Sequence, residues 1–210
     1  MDKRIKKLLT DKDTVTKIQN KLPKLFQMAE LESSRAGKIG MEVGSLRERI
    51  LVALMIYKFG EKNVETEIPI TEPEVDVKVF NNPISIKTIT GQSFSGVKLI
   101  WTVDAESAVN FREHYKPGCD MLFVQINWNN IGALHYIPFE VQNEIFKSFG
   151  NDNYIKLPKA GTNPRGAEIT AEALKELVNH SGSYKIPIEW KKEIIEFNAF
   201  ERWVELWEQD

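Results

Sequence analysis

A single cysteine, Cys119, stands in a chain of 210 residues. No internal disulfide can form and no cysteine-based zinc site can be assembled, so the lone thiol reads as a small buried residue. The three histidines, His114, His135 and His180, are scattered without metal-ligand spacing and read as surface or partly buried side chains. No apolar run approaches the length that spans a bilayer. The basic amphipathic stretch from Met1 to Leu9 lacks the apolar segment of a secretory signal, so a cytoplasmic protein is expected. No glycine-rich loop ends in Lys-Ser or Lys-Thr, which removes the phosphate-loop NTPases. Repeats and low-complexity tracts are missing too. So is an excess of charge: the formal net charge of -2 is not that of a protein that coats nucleic acid indiscriminately.

What is there fits a soluble globular protein with a real core, at 42% apolar and 28% charged residues. One domain over 1–210 is the expectation, with an N-terminal helical region at 1–37, a central core at 44–135 and loop and helices at 150–210. The charges are unevenly placed. Residues 1–25 carry eight Lys or Arg against three Asp, and residues 186–210 three basic against seven acidic side chains. The two ends could pair with each other, or the basic end could follow phosphates, although a solvated helix face explains it as well.

Helical spacing of Ile5, Leu8, Leu9, Val15, Ile18, Leu22, Leu25 and Phe26 predicts an N-terminal helical layer, interrupted near Pro23. Gly37, Gly40 and Gly44 break the pattern before an apolar helix from Ser45 to about Phe59, stopped by Gly60. Short strands are expected at Val64 to Ile70, Val75 to Phe80, Ile84 to Ile89 and Val97 to Val103, the middle two joined as a hairpin. A helix at 105–115, strands at Met121 to Trp128 and Ala133 to Pro138, and a helix from Glu140 to Phe149 follow. Residues Lys156 to Gly166 read as loop by composition. Thr170 can cap a helix to Asn179, and a Trp-rich last helix is expected from Pro187 onward. The fold class is therefore α/β or α+β, a mixed central sheet flanked by helices.

The stretch Glu74-Val75-Asp76-Val77-Lys78-Val79-Phe80-Asn81-Asn82-Pro83-Ile84-Ser85-Ile86-Lys87 carries the chemistry. Alternation puts Asp76 and Lys78 on one face of the first strand, and Ser85 and Lys87 on the matching face of the second. With Asn81-Asn82 as a two-residue loop, Asp76 lies opposite Lys87, with Cβ atoms roughly 5 Å apart. An ordinary exposed Asp–Lys pair would look the same and be worth little. Hydrolysis of a phosphodiester asks for more: charge stabilisation at the phosphoryl oxygens, a water held in line and a hard cation gripped by carboxylates. Glu48 is the candidate second carboxylate, since helical steps group it with Val52, Met55 and Phe59 on an inward stripe. Ser45-x-x-Glu48 also fits a capping box, which would give Glu48 a purely local role. Glu42 and Glu74 are weaker candidates.

The order of Gly44 and Glu48 on an apolar helix, Gly60, a strand, Asp76 on the next strand and then Ser85-Ile86-Lys87 resembles the catalytic core of the PD-(D/E)xK nuclease superfamily, over residues 44 to about 135. The size and accessory parts are similar to those of compact type II restriction endonucleases of the ThaI kind. The resemblance implies a restriction-endonuclease-like fold and a homodimer that cuts double-stranded DNA with Mg²⁺. It implies that Asp76 and the backbone carbonyl of Ile86 bind the metal and that Lys87 positions the attacking water. Ser85 stands where the superfamily has its second acid, and Glu48 is the natural substitute.

Three segments are candidate DNA readers. Thr90, Gln92, Ser93, Ser95 and Lys98 follow directly from the strand that carries Lys87. Lys159, Thr162, Asn163 and Arg165 combine positive charge with forked donors. Met41, just before the apolar helix, could wedge against a base step or simply pack. Solvated turn chemistry explains any single one of these loop residues about as well. Two rival readings use the same residues: a structure-selective repair or recombination nuclease of the junction-resolvase kind, and a silent DNA-binding module, which Ser85 keeps open.

Overall fold

The computed structural model of the chain describes all residues except 1, 36–37, 41, 70, 73, 103, 160–164 and 210, and leaves out the side chains of residues 35, 102 and 165 as well. Two helices come first, α1 (Lys3–Thr10) and α2 (Lys12–Glu32), joined at Asp11. A two-stranded ribbon, β1 (Ser34–Arg35) and β2 (Lys38–Ile39), leads to α3 (Val43–Phe59). The chain then builds β3 (Val64–Glu65), β4 (Val77–Val79), β5 (Asn82–Thr90), β6 (Lys98–Thr102), α4 (Ala105–His114), β7 (Asp120–Ile126), β8 (Asn130–Ile137) and α5 (Phe139–Tyr154). It closes with β9 (Ile155–Lys156), β10 (Arg165–Ile169), α6 (Ala171–Asn179), β11 (Tyr184–Trp190) and α7 (Glu201–Trp207).

Six strands form the central sheet in the order β11-β8-β7-β5-β4-β3, with β5 and β7 parallel and the other neighbours antiparallel. Strand β7 has cores on both faces. Leu122, Val124 and Ile126 pack with Leu8, Ile18, Phe26, Leu51 and Met55 of α1, α2 and α3. Met121 and Phe123 pack on the other side with Val141, Ile145 and Leu174 of α5 and α6. Burial on both faces is why Met121-Leu122-Phe123-Val124 reads as a continuous apolar run instead of an alternation. A smaller sheet, β6-β10-β9, contributes Leu99, Ile155, Ala167 and Ile169 to that second core.

The expected class, a mixed central sheet flanked by helices with an N-terminal helical layer, is the architecture found. Several local expectations are corrected. Helix α2 runs through Pro23 without interruption. Ile18, Leu22 and Phe26 are buried on either side of the proline, and that packing outweighs the roughly 3 kcal/mol a helix-interior proline costs. Of the strand expected at 64–70, Val64–Glu65 alone is strand among the described residues. Strand β6 pairs with β10 and stands outside the central sheet. Of the loop expected at 156–166, Lys156 belongs to β9 and Arg165 and Gly166 to β10, and those two strands pair antiparallel through Lys156 and Glu168. The helix expected from Pro187 is instead the edge strand β11, in which Ile186, Ile188 and Trp190 alternate inward. Pro187, which cannot donate to a ladder, fits an edge. Helix forms only at α7.

Candidate active site

The hairpin β4–β5 positions the central residues. Its register pairs Val77 with Ile84, Lys78 with Pro83 and Val79 with Asn82, two residues away from the register the sequence suggests. The turn is therefore Phe80-Asn81, both at positive φ (51° and 65°), as a tight hairpin turn of the mirror-image kind demands. An aromatic residue is unusual there, and local contacts hold it. The Phe80 ring meets Phe59 edge-on at 5.3 Å and carries the Arg4 guanidinium at 3.9 Å, while its N–H donates to the Asn63 carbonyl at 2.8 Å. The Asn82 amide closes the turn onto the carbonyls of Val79 and Phe80, each at 3.2 Å. A shift of two residues preserves faces. Asp76 and Lys87 thus still share one side, but Ser85 now stands in the position opposite Asp76.

One carboxylate oxygen of Asp76 gathers the strand opposite. It accepts from the Ile86 N–H at 2.5 Å and the Ser85 hydroxyl at 3.3 Å, and lies 3.5 Å from the Lys87 ammonium. Asp76 and Lys87 are both largely covered, with side chains 20% and 17% exposed, so their charges are screened less than those of a surface pair. Because N–H and C=O of one strand residue point to the same side, the Ile86 carbonyl also faces the β4 side of the strand.

Glu48 reaches this place from α3. The helix starts at Val43, which puts Ser45 inside its first turn, and no side chain caps its start, so the capping-box reading is corrected. Glu48 is half-buried; burial and the negative charge of Asp76 raise its pKa, while Lys87 and Arg49 oppose the rise. Two carboxylates close enough to repel each other, beside one ammonium, are groups that could hold a hard cation. Among the described residues no group of three or more His, Cys, Asp and Glu is arranged around a metal position. The oxygen donors at this place are two carboxylates and a backbone carbonyl, a set suited to Mg²⁺ with water filling the remaining positions.

The other candidates are distributed as follows. Thr90 is exposed at the end of β5, and Gln92, Ser93 and Ser95 are exposed in the segment after it. The Gln125 amide ties that segment to the sheet through the carbonyls of Gly91 (3.2 Å) and Gln92 (3.1 Å). Lys98 is engaged within the chain: its ammonium is 3.4 Å from Glu168 and 4.5 Å from the Trp101 ring. Lys156 meets the same carboxylate at 3.3 Å, so β6 and β10 bring the two proposed reading segments side by side. Lys159 is exposed, and the Arg165 backbone opens β10. Met41, Thr162 and Asn163 lie outside the described residues. Glu42 is exposed at the start of α3.

A family model for restriction endonuclease ThaI matches residues 8–209. The chain belongs to the ThaI restriction endonuclease family. It is therefore a nuclease by family, as the core pattern had implied. A solved structure of a restriction endonuclease in complex with substrate DNA is similar at 60% identity, covering 97% of this chain and 98% of the other, with a TM-score of 0.92. No curated protein matches the chain. No helix among the described residues is long and apolar enough to cross a membrane.

Other polar residues of this ThaI-family chain are held by partners distant in sequence. Glu74 is half-buried, accepts from the Tyr115 hydroxyl at 2.7 Å and the Gly118 N–H at 3.2 Å, and has its pKa raised by burial. Cys119 is buried beside it, as a lone thiol should be, and burial pushes its pKa up. One helical step before Glu48, Arg47 forms a buried pair with Glu30 at 2.6 Å. Trp128 also donates to Glu30 (2.8 Å), and the Lys192 ammonium lies 3.3 Å from it. Only a fold can reveal that positions 30, 47, 128 and 192 meet.

Proposed function

We propose that this chain is a type II restriction endonuclease, a homodimeric, cytoplasmic enzyme that hydrolyses phosphodiester bonds of double-stranded DNA at a specific sequence with Mg²⁺. The observation that carries the reading is the meeting of Glu48, Asp76 and Lys87 at one half-buried place, in a chain of a restriction endonuclease family. The similarity to a restriction endonuclease bound to substrate DNA supports duplex DNA as the substrate.

In this reading the carboxylates of Asp76 and Glu48 and the carbonyl of Ile86 hold the cation. A Mg²⁺ held by these groups would supply charge neutralisation at the scissile phosphate and a lowered pKa for water. Lys87 points its ammonium into the same place, where it orients the attacking water and stabilises the negative charge that develops on its oxygen as the proton passes to solvent. Ser85 donates to Asp76 and so fixes the carboxylate's orientation, a supporting task in place of a second acid. Thr90, Gln92, Ser93 and Ser95 contact the duplex from the segment after β5. Lys98, Lys159, Thr162, Asn163 and Arg165 do so from the neighbouring sheet and its connection, and Met41 from the start of α3. Residues 1–210 act as one nuclease unit, and a two-fold dimer places one such site on each strand of a palindrome.

The test is incubation of the purified chain with long duplex DNA in Mg²⁺ and in EDTA, followed by mapping of the fragment ends. Discrete, metal-dependent fragments that share a terminal sequence are the expected result. Intact duplex under all metals, with cleavage only of branched DNA, would contradict sequence-specific restriction and favour the junction-selective reading.

A further inference from the structure

The last segment of the chain has an apolar face that the chain itself leaves uncovered. After β11, residues Lys191 to Gln209 are exposed apart from a half-covered Ile195. In and around α7, Phe200, Trp203, Val204 and Trp207 recur at helical spacing on one face, with Trp207 90% exposed. Glu201, Glu205 and Glu208 run beside that stripe. Contiguous exposed aromatic surface rimmed by charge marks an interaction site.

A complementary surface exists on the same molecule. Helices α2 and α3 form an open groove of about 330 Å³ lined by Ile18, Leu22, Leu25, Ile50, Ala53 and Leu54. Lys17, Lys21 and Tyr57 rim it. The two lysines are one helical turn apart, as are Glu201 and Glu205, so an acidic, aromatic helix laid in the groove pairs charge with charge while it buries its stripe.

We propose that α7 of one chain docks in the α2–α3 groove of a second copy, and the reverse, forming a two-fold dimer by exchange of C-terminal arms. The inference rests on the homodimer reading above and supplies its contact surface. The departure point of the arm is fixed: the Gln27 side chain donates to the Glu193 carbonyl at 2.7 Å and accepts its N–H at 2.9 Å. From there residues 194–199 can extend up to about 20 Å, enough to cross to a neighbouring copy. A reciprocal contact is made twice, so each junction's contribution doubles and the assembly closes without further growth.

The experiment uses charge reversal in the full chain, read by sedimentation velocity, with circular dichroism confirming that each variant is folded. One variant carries Glu201→Lys and Glu205→Lys, the other Lys17→Glu and Lys21→Glu. Each alone places like charges at both junctions, and its dimer dissociation constant rises at least about tenfold. An equal mixture pairs the reversed arm with the reversed groove and the original arm with the original groove, so dimers return at the wild-type concentration. That restoration cannot come from an arm folded on its own groove. A mixture that stays monomeric overturns the proposal in favour of an arm that sits on its own chain. A dimeric wild type whose variants remain equally dimeric also overturns it, and leaves the homodimer reading standing on another surface. A monomeric wild type at tens of micromolar overturns both.

Discussion

Replacing Arg47 by methionine removes one half of the buried ion pair next to Glu48. Both side chains are 5% exposed and 2.6 Å apart, so the loss leaves the Glu30 carboxylate in a place where water does not solvate it. Breaking such a pair from one side costs about 3–5 kcal/mol. Two partners of Glu30 remain, the Trp128 N–H and the Lys192 ammonium, and they hold the cost near the lower figure, about 3 kcal/mol. For a chain of this size that lowers Tm by about 6–12 °C. Removing the charge as well, in Arg47→Met with Glu30→Gln, should recover most of the loss, because the orphaned carboxylate and not the missing attraction is its main source. Urea unfolding of the wild type, the two single variants and the pair measures this directly. An Arg47→Met midpoint equal to wild type, or a pair no better than the worse single variant, would refute the reasoning.

Further outcomes follow from other parts of the molecule. His135 is buried under Phe123 and held neutral, its pKa lowered by burial and the nearby Lys185 from the usual 6.5 to about 4. The unfolded chain binds the proton more readily, so stability is complete above pH 6.5 and falls by about 3 kcal/mol as pH drops to 4; His135→Phe should flatten that part of the stability curve, and an unchanged acid slope would assign it elsewhere. Gly132 of β8 has no room for a methyl group, since a Cβ would come within 2.2 Å of the Gln125 carbonyl of β7 and 2.6 Å of the Trp190 indole nitrogen. Gly132→Ala therefore costs about 2 kcal/mol or more by thermal unfolding, and a wild-type Tm would show that both the β7 backbone and β11 yield easily. Glu74→Gln, which keeps the Tyr115 contact possible, should change stability by less than Glu74→Ala; equal losses would argue against the hydrogen bond as the reason for its burial.

How much of this was legible in the sequence differs by element. Asp76, Lys87 and the order of helix and hairpin around them could be read because strand alternation is rigid: a register error of two residues leaves faces intact. The turn itself could not be read, since Asn81-Asn82 carries the stronger turn composition, while Phe80 is held at positive φ by Phe59, Arg4 and Asn63, all distant in sequence. Pro187 and the Trp-rich tail suggested a helix. Alternate burial of Ile186, Ile188 and Trp190 against β8 decided for a strand, a tertiary effect that local spacing does not encode. Glu48 was legible as an inward carboxylate, and its cap reading fell only when the helix was seen to begin two residues before Ser45. The ion pair of Lys98 with Glu168 could not be read, because the partner is seventy residues away.

The role proposed for Asp76, Lys87 and Glu48 is the cleavage step and little else. Single-turnover cleavage of duplex DNA carrying the mapped site, by Asp76→Asn, Lys87→Ala and Glu48→Gln in Mg²⁺, tests it directly, with DNA affinity measured on the same preparations. Rates lower by about 10²–10⁴ at an affinity close to wild type are the expected result. Cleavage at wild-type rates by all three variants would contradict it.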